Sequence, residues 1–191
     1  MAQQRPQQAL TIDANGKRLR ELSCPCQVAI SEPMLATPSQ RTFTDTHALW
    51  DTGATNTAIS DARAKRLNIP PIGRVTVHGA HGAKAVNQYM VDILLPNRVG
   101  FANWLVTGAD LGDSLGILIG MDIITLGDFS ITNVNGSTLA SFRTPSVGPV
   151  IDYVKILEER DARHRSTDGK SQAQKNREKR VRQKQKKRKR R

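Results

Sequence analysis

From about Cys24 to Phe142, apolar residues recur in short β-prone runs separated by turn signals, a pattern that predicts a compact, mostly β domain. The candidate strands are Gln27–Ile30, Thr42–Trp50, Arg74–His78, Ala85–Leu95, Phe101–Thr107, Gly116–Ile119, Phe129–Thr132 and Thr138–Phe142. One short helix interrupts them. Ser60 can cap it, Asp61 supplies an early acid, and Arg63, Lys65 and Arg66 supply late bases before Asn68 and the Pro70-Pro71 stop. Asp122–Gly127 predicts one more helical turn, with Asp122 as cap and Gly127 as terminator. Phe129 and Ile131 alternate with polar residues ahead of Asn135-Gly136, so residues 128–142 read as a hairpin.

The pattern fades at both ends. Residues 1–22 are rich in Gln, Arg and Lys with little apolar periodicity and read as a loose N-terminal arm. The domain is therefore expected over residues 23–145, followed by a linker and possible helix over 146–165. There Ile151, Val154 and Leu157 share a stripe, and the pairs Glu159/Arg163 and Asp161/Arg165 stand at favourable spacing. Residues 166–191 hold almost no apolar residue beyond Val181 and are expected to be disordered alone.

Charge sharpens this division. Residues 160–191 carry 16 Lys/Arg against 3 Asp/Glu, net +13, whereas residues 1–159 carry 13 against 14, net −1. The overall +12 thus describes a tail on a neutral body, which argues against the whole domain being a nucleic-acid reader. The tail itself has the composition of a nonspecific polyanion binder, for RNA, DNA or an anionic membrane through residues 166–191, and equally of a solvated tail. It contains no aromatic residue to stack on bases. No run approaches the ~18 apolar residues of a membrane span, and the polar start lacks a secretory segment, so a soluble, cytoplasmic protein is expected. Cys24 and Cys26, separated only by Pro25, read as two small apolar residues near a strand start; two thiolates are too few for a structural zinc site. No metal or other cofactor is expected.

The chemistry concentrates in Ala48-Leu49-Trp50-Asp51-Thr52-Gly53-Ala54-Thr55. An acid directly after an apolar run, followed by a hydroxyl residue and a glycine, delivers a carboxylate from a buried strand to a tight turn. As a bare tripeptide, Asp-Thr-Gly is also a common surface turn. With its flanks it resembles the active-site turn of the aspartic proteases, and its Ala-Thr ending resembles the retropepsins, which carry one such motif per chain. Leu118-Ile119-Gly120-Met121-Asp122 is similar to the strand end that passes beneath that turn in the family. The arms on either side of His78-Gly79-Ala80-His81-Gly82 resemble its substrate-covering flap, although His81 stands where the family often has glycine. Trp50 is bulkier than the aliphatic residue usual before the aspartate. Ile117–Asn133 carries the resemblance further, toward the bacterial retropepsin-like proteases.

The resemblance implies a retropepsin-like closed β-barrel of the acid-protease fold, with one or two short helices. It also implies an aspartic-type endopeptidase acting on peptide or protein substrates. Asp51 would be the catalytic acid, Thr52 a brace across the dimer, and Gly53 the residue that lets the chain pass close to the carboxylates. Ala54 and Thr55 would complete the turn, the Thr55 hydroxyl satisfying turn backbone. Leu118, Ile119 and Gly120 would support it from below. Metal-free hydrolysis by carboxylates needs two of them sharing one proton. Asp45-Thr46 is followed by His47 and Asp113-Ser114 by Leu115, so neither supplies a second turn. The expected assembly is a homodimer with a twofold axis beside Asp51. Against this stand a catalytically silent peptide-binding or dimerisation module of the same fold, and a nucleic-acid-associated protein whose tail does the work.

Overall fold

The structure is a computed structural model that describes residues 7–37, 41–79, 82–165 and 176–177. Contacts divide the chain into two units, Met1–Gly148 and Pro149–Arg191.

The first unit is built on a sheet that closes on itself. Its strands are β2 (Leu22–Ile30), β3 (Thr44–Trp50), β4 (Ala58–Ser60), β5 (Gly73–Gly79), β6 (Gly82–Leu94), β7 (Gly100–Ala109) and β8 (Ile117–Ile119). They run in the order β2-β3-β8-β4-β7-β6-β5, and β2 also pairs with β6, so six strands form a ring and β5 is left as an outer arm of β6. Closure is possible because β2 is long. Its first part, Leu22 to Val28, pairs with β3, and its last part, Gln27 to Ile30, pairs with β6. Closing a sheet removes the exposed edges that would otherwise seek partners. Alternation on β3 buries Thr46, Ala48 and Trp50, and the barrel interior adds Val28, Ile59, Val91, Ile117 and Ile119, all fully buried.

A second sheet holds β1 (Gln8–Asp13), β10 (Leu139–Thr144) and β9 (Asp128–Thr132), in the order β1-β10-β9. Leu10 and Phe142 from this sheet belong to the same core as the barrel strands. Trp50 makes the junction. Its ring stacks on Phe129 at 5.2 Å and lies 5.1 Å from Phe142 between centroids, while its Nε1 donates to the sulfur of Cys24 at 3.4 Å. The bulk of Trp50 therefore fills the seam between barrel and sheet. Cys24 and Cys26 are free and buried on β2, and burial pushes the Cys26 thiol up to about 12.

β1 corrects the reading of residues 1–22 as a loose arm. Leu10 alternates with polar neighbours over only six residues, too short a stretch to register as periodicity, yet the strand pairs with β10 throughout, from Gln8↔Thr144 to Asp13↔Leu139. β4 was also absent from the sequence reading, because its three residues are buried on both faces and show no alternation. The two helices of this unit are short. Helix α1 (Asp61–Arg66) ends where Asn68 turns left-handed at φ 52°. Helix α2 (Met121–Ile124) starts from Gly120, so Asp122 lies inside its first turn and is not its cap. The hairpin over residues 128–142 reverses at Asn135 and Gly136, with φ of 52° and 77°.

Two charge contacts fix the periphery, one on the buried carboxylate of Asp92 and one between the half-exposed Asp128 and Arg143. Asp92 pairs with Arg41 and accepts bonds from the Ser31 hydroxyl at 3.0 Å and the Asn103 amide at 2.7 Å. Asp128 on β9 faces Arg143 on β10 at 2.6 Å and also receives the Ser146 hydroxyl at 2.6 Å and the Val147 amide at 3.0 Å, clamping the chain as it leaves the sheet. The Ser146 hydroxyl, the Val147 amide and the Arg143 guanidinium together hold the Asp128 carboxyl down at about 2. A depressed carboxyl contributes stability that is fully present above its unfolded value, near pH 4, and is lost as pH falls through its folded one. The Asp128 carboxyl carbon should therefore titrate near 2 in an NMR pH series, and D128N should flatten the acid limb of stability between about pH 4 and 2. Titration near 4 would show that the clamp does not form.

In the second unit, residues 153–165 form helix α3. Asp152 caps it by accepting the Val154 and Lys155 amides at 2.9 and 3.1 Å. Residues 166–191, the expected disordered basic tail, lie outside the described residues apart from 176–177.

Candidate active site

Asp51 is the first residue beyond β3. The strand lies parallel to β8 with Trp50 opposite Ile119, and the Asp51 amide donates to the Ile119 carbonyl at 2.9 Å. The backbone of Asp51 is thus fixed by the buried strand at the point where the side chain leaves it, and the residue is half-buried. The chain then turns sharply. The Gly53 amide donates to Asp51 Oδ1 at 2.8 Å and the Ala54 amide to the Asp51 carbonyl at 3.3 Å. A Cβ at position 53 would stand 3.2 Å from Asp51 Oδ1, close enough to push on the carboxylate, so glycine leaves the amide free to hold it. Thr52, Gly53 and Thr55 are exposed and Ala54 is half-buried.

The next residues are stitched to β8 and α2. The Met121 amide donates to the Ala54 carbonyl at 2.8 Å and the Asp122 amide to the Thr55 carbonyl at 3.1 Å. Thr55 therefore serves this turn through its carbonyl, and the hydroxyl that satisfies backbone here belongs to Thr57. Thr57 Oγ1 accepts the Gly120 amide at 3.1 Å and donates to Asp122 Oδ1 at 2.7 Å. The same oxygen takes the Thr57 amide at 2.9 Å and the Ile123 amide at 3.0 Å, while Asp122 Oδ2 takes the Trp104 indole at 3.1 Å. Gly120 passes so close to Asn56 and Thr57 that no side chain fits there. Of the three residues proposed as support, Ile119 and Gly120 touch the turn directly, and Leu118 lies opposite Leu49 in the β3–β8 register. Thr57, Asp122 and Trp104 form the supporting network that the sequence reading missed. Asp122 was assigned there to a cap. The signal that could have found it is a hydroxyl two residues beyond the first motif segment and an acid that closes the second.

β5 and β6 form a hairpin with His78 opposite Ala83 and Gly79 opposite Gly82. His78, Gly79 and Gly82 are exposed, and Gly82 adopts φ +98°, which glycine alone takes readily. Ala80 and His81, the proposed tip, lie outside the described residues. Two grooves, of about 630 and 510 Å³, are lined around His47 and Arg63 and around Phe101 and Trp104; neither includes Asp51.

Residues 43–126 match the family described as "gag-polyprotein putative aspartyl protease", over a span that contains the Asp51 turn, the hairpin and the Gly120 crossing. Over these residues the chain is similar to the retropepsin-like aspartyl proteases. Its mostly β first unit, with six strands closed into a ring, is consistent with the acid-protease fold. Similar solved structures include a retropepsin-like aspartic protease from Rickettsia conorii, at 15% identity and TM-score 0.43, covering 73% of this chain and 96% of that one. The EIAV protease in complex with an inhibitor shares 18% identity at TM-score 0.41, covering 55% and 86%. The Simian Foamy Virus (mac) protease shares 22% identity at TM-score 0.33, covering 51% and 88%. No curated protein sequence matches the chain.

Proposed function

We propose that this retropepsin-like chain is an aspartic endopeptidase that works as a homodimer, with Asp51 of each copy sharing one proton across a twofold axis. The observation that carries this reading is the Asp51 turn: a carboxylate fixed at a strand end, held by the Gly53 amide at 2.8 Å, and braced from below by Ile119 and Gly120. Two such carboxylates at close range cannot both ionise, so one takes a proton from the attacking water while the other presents a proton to the scissile carbonyl oxygen. The tetrahedral carbon that results then expels the amine, which leaves with a proton from the pair. In this reading the exposed arms of the β5–β6 hairpin lie over an extended peptide and exclude water, a role that their exposure and pairing support. Thr52 in this assembly braces the turn of the other copy.

The full chain should cleave unstructured peptides, faster toward acidic pH, and a statine-type hydroxyl inhibitor that mimics the tetrahedral carbon should block it. Peptides that bind and survive intact would instead assign the chain to a silent binding module. The basic tail takes no part in this chemistry. Its charge supports a separate, salt-sensitive hold on a polyanion, and binding that is indifferent to salt would exclude that role.

A further inference from the structure

The neutral body hides a segregation of charge. Residues 62–91 hold five Lys/Arg, namely Arg63, Lys65, Arg66, Arg74 and Lys84, and no Asp/Glu, whereas the other residues of 1–159 hold 8 against 14. That basic stretch includes the whole β5–β6 hairpin. Register sorts the hairpin's side chains onto two faces, because residues directly opposite each other across the pair point the same way. Val75 lies opposite Val86 and Val77 opposite Lys84, so these four share a face. Val86 is buried and Val75 and Val77 are half-buried, which marks this as the packed face; Arg74, Thr76 and His78 on the other are exposed. Lys84 thus brings a cation to a face otherwise set with valines. It is exposed, and its ammonium has no hydrogen bond or ion pair among the described residues.

We infer that Lys84 sets the substrate class of the proposed peptidase, selecting unstructured peptides that carry an Asp or Glu side chain where this face closes over them. The inference rests on the endopeptidase reading, in which the hairpin covers the peptide. When such a face closes, the Lys84 ammonium gives up water, and a carboxylate on the peptide offsets that loss with a charge-assisted hydrogen bond. A Lys or Arg at the same place meets like charge instead, and that repulsion separates substrates more sharply than attraction alone. The remaining bases of the stretch act at longer range, drawing acidic segments toward the hairpin. The selected acid belongs to a residue flanking the scissile bond and not to the bond itself, because an Asp51 pair sharing one proton is itself negative and repels a carboxylate. Val75, Val77 and Val86 suit apolar residues between the two.

The test uses the full chain, so the basic tail is the same in every comparison. Peptides share one apolar core and carry Glu, Gln or Lys at each flanking position in turn. At about pH 6, where Glu is ionised, wild-type kcat/KM should favour Glu over Lys at one flanking position by at least about tenfold. Lys84→Gln should level that order and Lys84→Glu should reverse it. The preference should fade as pH falls through the peptide carboxylate's own range, near 4. Binding of the same peptides to Asp51→Asn, with and without the change at Lys84, reads the order by fluorescence anisotropy in the absence of turnover. Cleavage indifferent to flanking charge, or an order that Lys84→Glu leaves unchanged, would overturn the inference and leave the endopeptidase reading intact. Binding that follows charge and reverses with Lys84→Glu, but without cleavage by wild type, would defeat the endopeptidase reading alone. Peptides that neither bind nor are cleaved would defeat both.

Discussion

D51N should abolish peptide cleavage, lowering kcat/KM by at least about 10⁴-fold while leaving the fold and the dimer in place. Asparagine keeps the shape of aspartate, so the Gly53 amide still finds an oxygen at position 51 and the turn keeps its bond to Ile119. What is lost is the ability to take a proton from water or to hold one for the carbonyl. In a homodimer the substitution removes both carboxylates at once, which sharpens the test. When wild-type and D51N chains are mixed and allowed to re-equilibrate, a heterodimer carries one carboxylate and should be inactive. Activity should then fall as the square of the wild-type fraction, whereas a chain that acts alone would give a straight line. A linear response, or persistent cleavage by the pure variant, would remove the shared-proton mechanism.

How far the sequence reveals this molecule depends on whether each feature is local. The long strands of the barrel alternate clearly, and their positions were legible to within a few residues. Both ends of β6 lie beyond simple alternation, because its first part, Gly82 to Ala85, is an exposed arm and its later part is buried in the ring. β1 was illegible for a different reason. Its partner β10 lies about 130 residues away, and a six-residue edge strand with one fully buried side chain, Leu10, carries almost no signal until that partner is in place. Asp51, Gly53 and Gly120 were legible because turn chemistry is written into a few adjacent residues. The Thr57–Asp122–Trp104 network was not, since it joins three segments and two of its members carry ordinary local readings, as a polar residue after a turn and as a helix cap. Trp50 illustrates the remaining ambiguity. The sequence shows only that it is bulkier than the residue usual before the aspartate, and the structure turns it inward onto Phe129 and Phe142.

G120A tests whether that nonlocal support is what holds the carboxylate. An added Cβ would stand 2.5 Å from the Asn56 carbonyl carbon, 2.7 Å from its oxygen and 2.8 Å from the Thr57 nitrogen, and all three are backbone atoms that cannot swing aside. The Gly120 backbone is extended, at φ −94° and ψ −178°, so alanine can adopt the conformation and the cost is steric alone. Relief requires the turn to separate from α2, which stretches the bonds from Gly120 to Thr57 Oγ1, from Met121 to Ala54 and from Asp122 to Thr55. Overpacking of this kind costs about 3 kcal/mol, read as a lowered denaturation midpoint. Cleavage should fall by at least about 100-fold at temperatures where the variant is still folded, because a shift of about 1 Å in the carboxylate already costs that much. G53A, where the nearest contact is a carboxylate oxygen at 3.2 Å, should unfold less readily but lose comparable activity. Stability lost at both positions with cleavage intact would mean that the turn does not need its floor, and would move the catalytic role away from Asp51.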